Sequence, residues 1–290
     1  MVIVKIMGGL GNQMFQYAFA RSLVHMGKKV KLDISYYDTI PNEDTVRKYE
    51  LDKFAYKFQI ATSKEIARYN NVFIKIADII GECSHLFTPS TIVEKEFCYK
   101  QELLEMDEKF FVGYWQSEKY FTSIRTELIK EITFQNRDIS KKNRDVEEQI
   151  KRAECPVSIH IRAGDYLNQY NVRNFGNICT SEYYRDACDV ILNKKGNAQF
   201  YLFTNDSKWV ESNIDLHSYD VKVIDWNSEE DGWVDMHLMS LCKHNIIANS
   251  SFSWWAAWLN QNTKKLVVAP KKWQNNVNVG DIIPQDWIRL

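Results

Sequence analysis

The sequence has no surplus charge of either sign. Its 37 Lys and Arg face 38 Asp and Glu, a formal net charge of −1, so the whole-chain electrostatic footprint of a nucleic-acid binder is missing. No apolar run is long enough to span a bilayer. The first residues read directly as a strand, not as a signal peptide. There is no C-x-x-C and no Cys/His cluster at zinc spacing. The six cysteines (Cys83, Cys98, Cys155, Cys179, Cys188, Cys242) are scattered and read as reduced thiols of a cytosolic protein. Two N-x-S sequons, at Asn205 and Asn249, fall inside apparent site motifs, which argues against a secretory context. No internal repeat and no low-complexity segment is visible. What remains is an ordinary soluble composition, long enough for one large domain or two medium ones. It is rich in aromatics, which build cores first and also stack on sugars and bases.

The chain opens as strand, glycine-rich turn, helix, strand. Met1 to Met7 (MVIVKIM) reads as a strand and Gly8 to Gln13 as the turn. Met14 to Met26 reads as a helix and Val30 to Asp33 as the second strand. That is a βαβ opening. Glycines there let backbone approach a ligand, and a helix amino end offers free N–H groups to an anion. Gly9 and Gly11 fit the dinucleotide fingerprint G-x-G-x-x-G, but its third position is Met14. Asp33 lies about where a ribose-binding acid would sit. A tight turn without a ligand is the plain alternative, with the lesser weight.

Further on, Lys64 to Ile80 has a helical pattern, Lys109 to Trp115 a strand pattern, and Gln116 through Ile132 a helical one. Asn136 to Asp145 (NRDISKKNRD) is polar, charged and free of aromatics, and is expected to be the linker. The second half then alternates. Strands are expected opening at Val157, then at Gln199–Thr204, Val221–Ile224, Asn245–Ala248 and, last, Leu266–Ala269. Helices are expected at Ser181–Leu192, Gly232–Cys242 and Phe252–Leu259. This alternation implies a parallel sheet covered by helices.

The stretch PVSIHIRAGDY carries the most chemistry. Val157, Ile159 and Ile161 share one face of a strand, and Ser158, His160 and Arg162 share the other. A histidine and an arginine thus leave together at the carboxyl end of a buried strand, where ligands bind in open α/β sheets. A core histidine with a surface Arg–Asp pair is the plain alternative. Near the end, Asn249-Ser250-Ser251-Phe252-Ser253 follows a strand and opens a helix. Its serines can cap that helix or present hydroxyls and amides to an anion.

Taken in order, GGLGNQMFQYA, HIRAGDY and DMHLMSLCKHNIIANSSFSWWAAWL resemble the bacterial α-1,2-fucosyltransferases, glycosyltransferase family 11. GYWQSEKYF, FTND and APKKW also look like that family's segments. The middle and last motifs are similar to those of α-1,6- and protein O-fucosyltransferases. The resemblance implies a GT-B-like α/β fold, two Rossmann-like parallel-sheet domains facing a cleft. Residues 1–140 would form the acceptor side with the glycine loop, and residues 141–290 the GDP-fucose-binding domain. It implies an inverting transfer of L-fucose from GDP-β-L-fucose to the 2-hydroxyl of a terminal galactoside. No metal or other cofactor is implied, and no D-x-D motif for a metal–diphosphate site occurs. The expected partners are GDP-fucose and a galactose-terminated glycan, with no nucleic acid. The expected location is the cytoplasm, with peripheral association at the inner membrane face left open.

By the same resemblance Arg162 matches the family's essential arginine. It would meet the charge that develops on the diphosphate. His160 and Asp235 match guanine contacts, and Ser250, Ser251, Phe252 and Ser253 match the turn that holds phosphate oxygens. Gly9, Gly11 and Asn12 match a loop facing the fucosyl–phosphate bond. Asp165 is expected to brace Arg162 or the ribose side, and Asp206, at a strand end, is a further donor-side candidate. Many relatives carry a second arginine where this chain has Ala163. Related α-1,6 enzymes use a glutamate a few residues past the Asp, but Tyr166 to Tyr170 holds no acid, so the general base is unassigned. Two other readings stand beside the transferase: an NAD(P)-dependent oxidoreductase, from the glycine loop and Asp33, and a non-catalytic GDP-sugar- or glycan-binding module.

Overall fold

A computed structural model describes residues 1–38, 47–69, 90–132, 139–162, 169–277 and 280–290. The chain divides into two compact units. One is Met1–Thr133 with Gly280–Ile282, the other Phe134–Val279 with Ile283–Leu290.

The first unit is built on five parallel strands: β1 (Val2–Lys5), β2 (Val30–Asp33), β3 (Gln59–Ile60), β4 (Thr91–Val93) and β5 (Phe110–Val112). Their order is β3-β2-β1-β5-β4. Val2, Ile3 and Val4 are fully buried, as a central strand covered on both faces requires. The crossover from β1 to β2 is the helix Leu10–His25. Its Phe19 stacks on Trp115, with centroids 4.8 Å apart, and meets Phe111 edge-on.

The second unit holds six parallel strands: β6 (Pro156–Ile161), β7 (Gln199–Thr204), β8 (Val221–Ile224), β9 (His244–Ile246), β10 (Val267–Ala269) and β11 (Ile288–Arg289). The order is β11-β10-β9-β6-β7-β8. The chain runs outward from β6 to β8, returns to the other side of β6 at β9, and runs outward again. This is the doubly wound order, and its switch point lies between β6 and β9. All six residues of β6 are buried. The polar face is satisfied inside the core, where Asn245 Nδ2 donates to Ser158 Oγ at 2.7 Å.

The two parallel-sheet domains agree with the expected fold class, while several element bounds differ. The helix expected from Met14 begins at Leu10. Only Gly8, at φ +79°, and the extended Gly9 make the turn, so Gly11 and Asn12 already belong to the helix. The helix expected from Gln116 to Ile132 is broken into 3-10 turns at Glu118–Tyr120 and Thr122–Ile124, with α-helix only at Arg125–Glu131. Tyr120, Phe121 and Ile124 are all buried, and adjacent core positions suit tight turns better than one amphipathic helix. The linker-like stretch turns helical at Lys141. Ser140 Oγ caps the helix Lys141–Arg152, which buries Asn143, Val146 and Ile150. Three inward residues at three- and four-residue spacing suffice for an otherwise polar helix. The pattern over Lys64–Ile80 coincides with a helix only at Ser63–Ala67; residues from 70 on lie outside the described ones. β11 follows what was expected to be the last strand. Cys98, Cys155, Cys179, Cys188 and Cys242 are free thiols.

Candidate active site

The register of the second sheet brings two of the sequence motifs together. β6 pairs with β9 through Val157 and His244, Ser158 and Asn245, and Ile159 and Ile246. The residues that follow each strand therefore emerge side by side at the switch point. From β6 come His160 and Arg162. From β9 come Asn249 and Ser250, then the helix Ser251–Leu259.

That helix is anchored by its own composition. Trp254, Trp255, Ala256, Ala257, Trp258 and Leu259 are buried, and Trp254 stacks on Trp258 at 6.2 Å. The packing fixes the amino end. Ser250 is the N-cap, its Oγ accepting from Phe252 N at 3.3 Å. Ser253 Oγ donates to Ser250 O at 3.3 Å, so two of the three expected serine hydroxyls already shape the turn. The amides of Ser251 and Ser253 take no acceptor among the described residues, which leaves first-turn donors at the positive end of the helix dipole. Asn249 braces the turn from behind, with Nδ2 donating to Phe175 O at 3.1 Å and Trp273 O at 3.2 Å.

His160 is buried, its ring 5.4 Å from that of Phe252. Its Nδ1 has no hydrogen-bond partner among the described residues. Burial, with the Arg162 charge adding to it, pushes the imidazole down to about 3. The ring is thus neutral at physiological pH, and one nitrogen awaits a partner. Arg162 is half-buried, one residue beyond β6.

Asp235 sits on the helix Gly232–Leu241. A Cβ on Gly232 would lie 3.7 Å from Phe252. Asp235 lies three residues further along that helix, and its Oδ1 accepts from Asn227 Nδ2 at 2.6 Å. Burial pushes its carboxyl up to about 7, with Asp231 adding to the rise and a hydrogen bond from Asn227 opposing it. Sequence reasoning missed Asn227 and its partner Asn143. Both lie in polar stretches that read as surface, and the only available signal was an asparagine at the inward spacing of the 141–152 helix.

Asp206 is placed on the same edge, just past β7, where Ile161 pairs with Thr204. One of its oxygens caps the helix Ser207–Asn213, accepting from Trp209 N at 2.9 Å. Asp165 and Ala163 lie outside the described residues.

In the first unit the glycine loop is held by glutamines that pattern reading placed nowhere in particular. Gln13 is fully buried. Its Nε2 donates to Gly8 O at 3.0 Å and Lys48 O at 2.8 Å, while its Oε1 accepts from Glu50 N at 2.9 Å. Gln16 bonds both the N–H and the carbonyl of Met7. Gly8 needs its glycine for the left-handed φ. Gly9 is the N-cap and Gly11 is buried in the first turn. Asn12 Oδ1 accepts from Gln116 Nε2 at 2.9 Å. Asp33, the ribose candidate of the oxidoreductase reading, is buried, and its Oδ1 accepts from Ser35 N at 2.9 Å.

Residues 92–290 match the family model described as glycosyl transferase family 11. The chain belongs to glycosyltransferase family 11. As a member of that family it is similar along its whole length to an α-1,2-colitosyltransferase of Escherichia coli, 33% identical over 300 residues that cover 100% of this chain and 98% of the relative. The O-antigen biosynthesis glycosyltransferase WbnK of Escherichia coli is likewise 33% identical, over 98% of both chains. A galactoside α-(1,2)-fucosyltransferase 1 of Saimiri boliviensis boliviensis is 33% identical over 103 residues, 36% of this chain and 28% of that one. The fold is similar to that of a point mutant of Arabidopsis thaliana FUT1 solved with GDP, at TM-score 0.50 and 10% identity, covering 92% of this chain and 69% of that one. The family-11 chain thus has a GT-B-like fold with two parallel-sheet α/β domains. No helix among its described residues is long and apolar enough to cross a membrane.

Proposed function

We propose that this family-11 glycosyltransferase moves L-fucose from GDP-β-L-fucose to the 2-hydroxyl of a terminal galactoside, with inversion. The carrying observation is the switch point of the second sheet. There a guanidinium, a buried neutral imidazole with an open nitrogen, and a serine-capped helix amino end leave adjacent strands. Arg162 and the amides of the Ser251–Leu259 helix suit a diphosphate whose negative charge grows as the sugar leaves. His160 and Asp235 suit the base, because a carboxylate accepts from guanine N1–H and N2–H₂, which adenine and uracil do not present. Gly9, Gly11 and Asn12 belong to the first unit and are assigned to the sugar–phosphate side of the reaction. With a fixed guanidinium in the charge-neutralising role, no metal ion is assigned to the site.

A second donor has its own support, since the full-length relative is named a colitosyltransferase. Colitose is fucose without its 3-hydroxyl, so the choice turns on how one hydroxyl is received. The test supplies GDP-fucose and the GDP-colitose analogue with a panel of galactosides and chelator, and assigns product linkage and anomeric configuration by NMR. An α-1,2-fucosyl product formed at full rate in chelator is expected. Transfer of colitose alone would replace fucose as the donor, and binding of GDP-sugars without any transfer would overturn the catalytic reading.

A further inference from the structure

Three loops meet at the carboxyl edge of the first sheet. Asn12, in the first turn after β1, is bonded to Gln116. Gln116 ends the turn that follows β5. The backbone of that turn is held by Glu94, one residue past β4: Tyr114 N and Trp115 N donate to Glu94 Oε2 at 2.6 and 3.2 Å. The turn is tight, with Trp115 at φ +55°. A Cβ on Gly113 would lie 2.5 Å from Glu94 Cβ and 2.9 Å from Oε2, so only glycine lets the carboxylate fold over the backbone there.

Both amide bonds fall on one oxygen. Glu94 Oε1 takes no hydrogen bond among the described residues, and no Lys or Arg pairs with the group there. The side chain is half-buried and opens on a hollow lined also by Thr91, Ile92, Cys98, Lys100 and Tyr120. The other titratable neighbours are engaged or turned outward. Lys100 pairs with Glu96 at 3.3 Å, Cys98 Sγ donates to Glu96, and Tyr120 OH donates to Cys98 O. Lys95 is exposed. Burial holds the Glu94 carboxyl above the usual carboxylate range even though the two amides pull the other way. A carboxylate with one oxygen clamped and the other open, beside a hollow, is equipped to accept a proton.

We propose that Glu94 is the general base of the transfer, taking the acceptor hydroxyl's proton on Oε1. The inference rests on the transfer reaction proposed above. The acceptor oxygen bonds to the sugar's anomeric carbon as the bond from that carbon to the phosphate oxygen breaks. The electron pair leaves on GDP, and the proton passes to Glu94 Oε1 and then to solvent. Oε2 meanwhile keeps the turn, and through Gln116 the position of Asn12.

Glu94→Gln separates this role from a structural one, because glutamine keeps a carbonyl oxygen for both amides and cannot take the proton. The expected result is a fall in kcat of about 10²–10⁴-fold, with GDP affinity by calorimetry unchanged. In the native chain at saturating donor, kcat should fall as acidification protonates Glu94. The same profile in Asp235→Asn, which removes the other carboxyl that burial raises, assigns the fall to Glu94 even where the Glu94 variant folds poorly. A Glu94→Gln enzyme within about fivefold of native, or a native kcat that does not fall on acidification, overturns the assignment. A native chain that transfers to no galactoside overturns the proposed function, and this inference with it.

Discussion

Asn227 donates from Nδ2 to Asp235 Oδ1 at 2.6 Å. The donor is itself immobilised. Asn143 Nδ2 donates to Asn227 Oδ1 at 2.8 Å, Asn227 Nδ2 returns a bond to Asn143 Oδ1 at 3.2 Å, and Trp226 Nε1 also donates to Asn143 Oδ1, at 2.9 Å. The direction of the Asp235 carboxylate is therefore set through two further side chains, one of them buried in the helix Lys141–Arg152.

Asn227→Leu keeps the volume and removes the donor. The bond favours the charged form of Asp235, so its loss moves that carboxyl further up and leaves it less ionised near neutrality. GDP should bind about tenfold more weakly at pH 7, a charge-assisted bond being worth roughly 1.5–3 kcal/mol. Part of that loss should return in alkaline buffer, where the group ionises again. Calorimetry that finds one GDP affinity for both chains at neutral pH would remove Asn227 from this role.

Asp235→Asn should make the empty protein more stable while weakening GDP. The sign follows from linkage. Between the ordinary aspartate value and about 7, the folded chain holds a proton that the unfolded chain has released. Stability therefore falls as pH rises through that window. Above it, an uncharged amide avoids a penalty on the order of 3–4 kcal/mol for a mostly buried group. The variant should melt several degrees higher at alkaline pH and show little difference from native in acid. A lower melting point at alkaline pH would show the carboxylate to be welcome in its pocket.

His160 contributes with the opposite sign. Its folded value of about 3 lies below the ordinary imidazole value, so the unfolded chain takes up the proton first. The stability from keeping the ring neutral is full above that ordinary value and is lost as pH falls toward the folded one. Because Asp235 moves the other way over much of this range, the comparison is between native and His160→Gln. Native should lose about 2 kcal/mol more than the variant between about pH 7 and pH 5. Urea titrations at the two pH values measure it, and parallel losses would mean that the imidazole protonates in the fold.

Arg162→Lys keeps the charge and gives up the planar fork. The expected loss in kcat is on the order of 10²–10³-fold, with the melting temperature close to native. Full activity in the lysine variant would mean that a point charge suffices, and near-native rates in Arg162→Ala would end the role altogether.

Much of this was legible in the sequence, for identifiable reasons. Runs buried on both faces, such as Pro156–Ile161, announce central parallel strands. Strands Gln199–Thr204 and Val221–Ile224 carry their bounds in their composition. The site motifs stood out because three separate stretches each put polar groups at a strand end. What stayed hidden depends on pairs distant in sequence. Gln13 looks like a surface residue until Lys48 and Glu50 are brought to it. Asn143 looks like linker until Trp226 and Asn227 close over it. Glu94 is an unremarked acid in a charged run until a turn some twenty residues later lays its amides on one oxygen. Hydrophobic periodicity reports which side of an element faces the core; it is silent on which buried polar group finds which partner.

The return of Gly280–Ile282 to the first unit bears on anyone who would split the gene. Asp281 accepts from Tyr99 N at 2.9 Å and pairs with Lys119. A fragment stopped near residue 133 would lack that carboxylate, stranding an amide and an ammonium that the tail of the chain ordinarily serves. Supplied as separate polypeptides, the halves should therefore complement poorly unless the carboxyl-terminal piece donates its tail in trans.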